Sequence, residues 1–537
     1  MQKDTNIEAQ ELLQFAKNSI NNKDFQNAEK FCQQLSYRFP ELAEGWYLTS
    51  FLAMQTNNPQ GSLEAISKAI ELKPTYYQWS IHKIHLLMNF GEQDKALELA
   101  INTSRKEIDN AKSLEDLALL LSKFQYIKEA KELYQKAIVL NPKSDHLYFN
   151  LAVMQNFLGE IEAANVSCDV AISLNKFHYN AYFLRSSLTT QSVSKNHIPE
   201  LESLLNARIA NPIGQAQISF SLAKEYEDCK DYPTSFKVRK LGSEVYRKHM
   251  NYDFTSDISF IEKIISTYDK KTLIKASNGF ENDEPIFILG LPRTGSTLVD
   301  RIISGHTDVL SAGELTNFTH QMIGMMQEIS SNPNPSRTEM VTISSQLDFN
   351  QLGSNYIKST RPQTGGQLHF TDKFPQNSLY AGLIHMALPN AKIILVERHP
   401  LDVCYAMYKQ LFTEIYQFSY DQDELAEYFI AHQKLMAHWQ QTIPDSIHVV
   451  RYESLVSDIE SETRTALKFC NLDWQVQCLE FQNNQQVTMT ASSSQVRQKL
   501  YKTSVGMWRN YEKELAPLIS QLTRAGILDN WSTEQKV

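Results

Sequence analysis

The chain has few cysteines, no long apolar run and no excess of basic residues, and each shortage closes off a class of protein. Its six cysteines in 537 residues (Cys32, Cys168, Cys229, Cys404, Cys470 and Cys478) are scattered and form no C-x-x-C pair. Neither a zinc site, nor a thioredoxin-like motif, nor a disulfide scaffold is therefore indicated. Apolar runs such as residues 286–289 are strand-length, far short of the roughly 20 residues a membrane helix needs. The first residues are polar and lead straight into a helical pattern without a signal-peptide stretch, so a soluble cytoplasmic protein without a membrane span is the expectation. A net charge of -9 excludes a dedicated nucleic-acid binder, whose footprint is basic, but leaves room for a local basic pocket. What remains is a globular composition, 42% apolar and 21% charged, in a chain too long for one hydrophobic core.

The first half repeats itself. Ala28, Ala96, Ala130 and Ala164 fall on one 34-residue register, with Ser62 in the remaining slot. Pro40, Pro74 and Pro142 fall on a second register, and Leu72, Leu140 and Leu174 on a third. Small residues where two helices cross, followed by a proline opening the next turn, are what a stacked helix-turn-helix repeat requires. The period and pattern resemble the tetratricopeptide repeat over about residues 8–190, with helical pairs expected to continue to 260. The resemblance implies a concave surface for a peptide or protein partner.

Around residue 280 the texture changes. The polar stretch "SNGFENDEP" reads as a linker, giving an expected division into a repeat array over 8–260, a linker over 261–283 and a second domain over 284–537. Apolar runs at 286–289, 391–396 and 447–450 alternate with helical patterns, which argues for an α/β domain with a mainly parallel sheet. The most informative segment is "PIFILGLPRTGSTLVDRIISGH". A buried strand, a loop bounded by Gly290 and Gly295, and an amphipathic helix start make a nest of backbone N–H groups at a positive helix end, suited to a phosphate. The spacing is that of a nucleoside-triphosphate loop, yet Ser296 stands where such a loop has its lysine. Nothing in the motif then grips a γ-phosphoryl group, while Arg293 lies inside the loop with a fork suited to phosphate or sulfuryl oxygens.

The string Pro292-Arg293-Thr294-Gly295-Ser296-Thr297 resembles the 5′-phosphosulfate loop of the sulfotransferase superfamily, most closely the tyrosylprotein sulfotransferases and bacterial sulfotransferases with N-terminal tetratricopeptide repeats. The resemblance covers about residues 284–512. It implies a three-layer P-loop-like α/β fold, 3′-phosphoadenosine 5′-phosphosulfate as the donor, and no metal. In "LVERHPLDVCYAMYKQ", Arg398 matches the family's 3′-phosphate arginine, whereas Ala406 stands where the family has a serine. One neutral hydrogen bond is thereby missing, worth roughly 0.5–1.5 kcal/mol. The plainer reading of Arg398 is a helix-entry salt bridge with Asp402. In "YKTSVGMWRNYE", residues Lys502, Gly506, Trp508, Arg509 and Asn510 match the nucleotide-closing segment in kind. Lys502 and Arg497 are 3′-phosphate candidates, or else solvated surface charge. Ser492, in "VTMTASSSQVRQ", is a candidate sulfuryl-side donor, and Tyr452 aligns with a family tyrosine beside the nucleotide, or is a core tyrosine.

The chemistry needs a general base for the acceptor hydroxyl and cations on the leaving group. Glu314, in "SAGELTNFTH", matches the catalytic base of the tyrosylprotein enzymes, with His320 and His306 as the local histidine alternatives. Lys373, in "FTDKFPQN", matches the family's leaving-group lysine and shares that role with Arg293; Asp372 is expected to orient it. Two other readings stand beside this one: a nucleoside triphosphatase, which the absent lysine disfavours, and a catalytically silent domain whose repeats do the binding. The donor motifs do not name the acceptor, for which a protein tyrosine is the leading expectation. A homo-oligomer is compatible with the sequence and not specified by it.

Overall fold

A computed structural model describes residues 2–275, 278–413, 415–483 and 504–531. The chain divides into two compact units, Met1–Asn175 and Lys176–Val537.

The first unit is helical throughout its described residues, from Gln2–Asn21 to Ile161–Leu174. The 34-residue register is the register of burial: Ala28, Ser62, Ala96, Ala130 and Ala164 are each 0% exposed. A helix that crosses its neighbour at a methyl group can approach more closely than one that crosses at a larger side chain. At the one hydroxyl in the series, Ser62 donates to the Ser50 carbonyl at 2.9 Å, so its polar atom is satisfied inside the contact. The leucine register marks helix ends, Leu72, Leu140 and Leu174 each being the last helical residue. Asp24, Asn58 and Asn110 cap helices through their side chains, each meeting one of the backbone donors that a helix start leaves open.

The second unit carries a five-stranded sheet: β1 (Pro285–Leu289), β2 (Val309–Ser311), β3 (His369–Asp372), β4 (Lys392–Glu397) and β5 (Ile447–Arg451). The strand order is β2-β3-β1-β4-β5, and every pairing is parallel. Strand alternation divides the core. Phe287 and Leu289 of β1, with Ile393 and Leu395 of β4, enter one cluster with Tyr356, Leu425 and Trp439. Ile286 and Ile288, with Ile394 and Val396, enter another with Leu298, Ile302 and Leu467. Helices thus cover both faces, a three-layer P-loop-like arrangement preceded by a helical, repeat-like region.

The boundary expected near residue 260 does not coincide with the division by packing. Residues expected to form a linker include the end of the helix Phe254–Thr267 and the helix Lys270–Lys275. Phe260, Ile261, Ile264 and Tyr268 belong to the same apolar cluster as β1 and β4. Earlier helices join the second unit through buried charge. Glu227, at the end of Pro212–Asp228, accepts hydrogen bonds from the Tyr405 hydroxyl, from Lys409 Nζ at 2.9 Å and from the Tyr511 hydroxyl at 2.7 Å. Burial alone would raise its carboxyl, but Lys409 and Arg239 pull it down to about 2. Polar texture between helices cannot reveal such a network, because Tyr405, Lys409 and Tyr511 lie 178, 182 and 284 residues from Glu227 in sequence.

Candidate active site

β1 and β4 are paired neighbours, so the loops at their carboxyl ends lie side by side. The loop after β1 runs from Gly290 to Gly295 and enters the helix Ser296–Ile303. Two of its residues can only be glycine. A Cβ at Gly290 (φ +139°) would lie 2.6 Å from the Val396 carbonyl oxygen, and one at Gly295 (φ +103°) 2.4 Å from Tyr452 Cδ2. Arg293 stands between them at φ +71°. Pro292, Thr294, Ser296 and Thr297 are buried, and the Thr294 hydroxyl fastens the loop to the Leu291 carbonyl at 2.9 Å. Bare backbone at a helix N-terminus, with a rigid turn behind it, is a cradle for an anion.

Arg398, just past β4, donates from Nη1 to the Arg293 carbonyl at 3.0 Å and from Nη2 to the Ser504 carbonyl at 2.6 Å. It is not bonded to Asp402, whose carboxylate instead accepts the backbone N–H groups of Gly506 (2.7 Å) and Trp508 (3.3 Å). The salt-bridge reading of Arg398 is therefore replaced: Asp402 anchors the Gly506–Trp508 turn and Arg398 ties that segment to the phosphate loop. Tyr452 is buried against both, with the Arg398 guanidinium carbon 4.7 Å from its ring centroid and its hydroxyl 3.1 Å from Ser504 Oγ. His399 stacks on Trp508 with centroids 5.6 Å apart, and Trp531 meets it edge-on at 5.7 Å. Arg398 Nε, buried, has no hydrogen-bond partner among the described residues.

Glu314 and Lys373, 59 residues apart, form an ion pair. Lys373 follows directly on β3 and is 3% exposed at its side chain, whereas the Glu314 side chain is 38% exposed. Asp372, expected to orient the lysine, accepts a 2.9 Å bond from the Tyr356 hydroxyl and feels the Lys373 charge, while the Lys373 ammonium itself bonds Glu314. Burial raises the Asp372 carboxyl to about 7. A second buried acid, Asp300, lies on the phosphate-loop helix and accepts from the hydroxyls of Thr371 and Ser311, the latter at 2.9 Å. Burial raises this carboxyl too, with Thr371 and Lys373 acting against the rise. It escaped the sequence reading, although an aspartate inside "STLVDRII" was its signal.

The histidine alternatives do not join the pair. His306 is buried, bonded to the Asp473 carbonyl and the Asp308 N–H at 3.1 Å each, and exposed His320 bonds Thr316. Ala406 is buried at 8% exposure. Ser492, Arg497 and Lys502 lie outside the described residues.

Residues 285–476 match the sulfotransferase family model, and residues 111–144 match a tetratricopeptide repeat. The chain thus holds a sulfotransferase family domain and a tetratricopeptide repeat. An uncharacterized protein of Aquifex aeolicus (strain VF5) is 27% identical over 504 residues, covering 92% of this chain and 60% of the relative's own length. Among solved structures, the sulfotransferase domain from the curacin biosynthetic pathway is 18% identical with a TM-score of 0.32, covering 45% of this chain and 98% of that one. YrrB, described as a tetratricopeptide-repeat protein with an unusual peptide-binding site, is 15% identical with a TM-score of 0.27, covering 39% and 97%. No described helix is long and apolar enough to cross a membrane.

Proposed function

We propose that the protein transfers a sulfuryl group from 3′-phosphoadenosine 5′-phosphosulfate to an acceptor hydroxyl, with a protein tyrosine as the leading acceptor. The observation that carries the reading is the Lys373–Glu314 pair in a domain whose phosphate loop lacks the triphosphatase lysine. The donor supplies a sulfuryl group on a phosphate leaving group. The loop 290–297 would hold its 5′ end and Arg398 its 3′-phosphate, with Ser492, Arg497 and Lys502 as further candidates. Glu314 takes the acceptor proton as the new S–O bond forms. Lys373 and Arg293 stabilise the phosphate oxygen that receives the electron pair of the breaking S–O bond. No metal is required for these roles.

The pairing has a chemical consequence. One ammonium cannot hold the carboxylate and the leaving oxygen in the same orientation, so Lys373 must turn from Glu314 to the leaving oxygen as the S–O bond breaks. Glu314→Gln should leave nucleotide affinity unchanged and lower the transfer rate roughly a hundredfold or more. The repeat region is proposed to dock a peptide or protein. A cytoplasmic setting is in keeping with six cysteines that form no disulfide, five of them buried.

Calorimetric titration without magnesium tests the donor assignment. Binding of 3′-phosphoadenosine 5′-phosphate, weakened by Arg398→Ala and without response to magnesium ATP, is the expected result. No bisphosphate binding at near-millimolar ligand would sink it and favour the second reading, a silent domain serving a binding module, to which buried Ala406 in place of a hydroxyl gives some support.

A further inference from the structure

One buried acid stands outside the proposed transfer steps. Asp300 is 5% exposed, on the helix that follows the phosphate loop, and a carboxylate is costly to bury unless partners surround it. Packing of that helix is supplied by its neighbours: Leu298, Val299, Ile302 and Ile303 share an apolar cluster with Ile286 and Ile288 of β1. What the acid adds is two directed bonds, from the hydroxyls of Ser311 and Thr371.

Those two hydroxyls stand on one rung of the sheet. Ser311 ends β2, Thr371 lies in β3, and they are register partners. Past the rung the two chains stay laced: the Ala312 N–H donates to the Thr371 carbonyl at 3.0 Å and the Lys373 N–H to the Gly313 carbonyl at 2.9 Å. Glu314 follows Gly313 directly. Asp300 therefore holds, from the helix whose start forms the anion cradle, the rung just before the base and the leaving-group cation. Burial raises its carboxyl, and the Thr371 bond, the Lys373 charge and the Ser311 bond oppose the rise. Strand pairing alone does not make this link. The register of β1 with β3 ends at Phe287 and Asp372, before the phosphate loop begins at Gly290.

We propose that Asp300 is a positioning residue for sulfuryl transfer: through Ser311 and Thr371 it fixes the Glu314–Lys373 pair at a set place relative to the phosphate loop. The inference rests on the transfer reading above and adds to it a residue that touches neither donor nor acceptor. In-line displacement needs base, sulfur and leaving oxygen in one geometry, and a misplacement of about 1 Å can slow it about a hundredfold. A fully bonded acid between the cradle and the pair supplies that registration.

The test follows transfer from radiolabelled 3′-phosphoadenosine 5′-phosphosulfate by the full chain, to water and to a short peptide holding one tyrosine. Rates are read well below each variant's thermal midpoint, with bisphosphate affinity measured alongside. Asp300→Asn should lower kcat about ten- to a hundredfold, with donor KM and bisphosphate affinity within about twofold of the parent. Thr371 separates hydrogen bonding from packing while leaving the acid in place. Thr371→Val keeps the shape and loses the hydroxyl, and should slow transfer in the same way. Thr371→Ser loses the methyl and keeps the hydroxyl, and should stay within about threefold of the parent. A threonine kept only for packing gives the reverse order. Asp300→Asn combined with Lys373→Ala should lose much less than the product of the two single losses, because a residue that acts through another has less to position once that partner is gone. A full product, the reverse order at Thr371, or a fall in bisphosphate affinity equal to the fall in rate overturns the inference. Bisphosphate binding with parent rates at Asp300→Asn sinks this inference alone. Bisphosphate binding without transfer by the parent, or no bisphosphate binding, brings down the transfer reading and this inference together.

Discussion

The two units bury different things. Among described residues of Met1–Asn175, the buried polar side chains are hydroxyls and one amide, from Ser50 to Ser167, and none is charged. In Lys176–Val537 the buried set includes Glu225, Arg239, Asp300, Arg301, Asp372, Lys373 and Asp402. Taking a charge out of water is costly unless partners surround it, so a unit whose task is to stack helices has no use for buried charge. The second unit places Asp300, Asp372, Lys373 and Asp402 in or just after the segments that follow or end β1, β3 and β4, and ties its helices together through the Glu227–Arg239 network. Burial of charge thus marks where chemistry and long-range cross-links lie, and burial of methyl groups marks where one helix must approach another.

Three substitutions would sharpen or break this contrast. The largest effect is expected at Lys373→Ala, which removes the buried cation: the transfer rate should fall about a hundred- to a thousandfold, as for loss of one preorganised donor, and a single-turnover assay would show it. A rate within a factor of a few of the parent would mean that this buried charge is structural. Next is Asp372. Burial holds its carboxyl at about 7 in the folded chain against 3.8 without it. The folded protein therefore keeps a proton that the unfolded chain releases. The stabilisation is fully present below pH 3.8 and is lost as the pH rises through about 7. Thermal midpoints measured across that window should decline for the parent and flatten for Asp372→Asn; parallel curves would contradict the shift. Smallest is Ala130→Leu in the first unit, which overpacks a helix contact and should lower unfolding stability by about 1–3 kcal/mol. Bisphosphate affinity, measured well below the midpoint, should not change.

Legibility in the sequence followed the same division. Period carried the repeat, because residues that meet across a helix pair recur at fixed spacing. Continuous apolar runs carried β1 and β4, buried on both faces, and a shorter apolar pattern marked β5, an edge strand of mostly partial burial. β2 has three residues, Val309–Ser311, and gave too short a pattern to recognise. Local strings marked the phosphate loop, Arg398, Glu314 and Lys373 one by one, but not that Glu314 and Lys373 pair or that Arg398 bonds two carbonyls more than a hundred residues away. Such contacts are set by strand order, which no single window contains.

The 34-residue spacing of buried alanines also bears on how such a chain can change length. Removing one whole period, residues 97–130, would bring Ala164 onto the position now held by Ala130 and carry every later small residue to an equivalent slot. Removing one residue fewer would rotate each downstream contact by about 100° around its helix axis and turn a methyl group away from its neighbour. Growth and loss by complete units is therefore the one indel step that this half of the molecule absorbs without repacking, and natural length variants should differ by multiples of that unit.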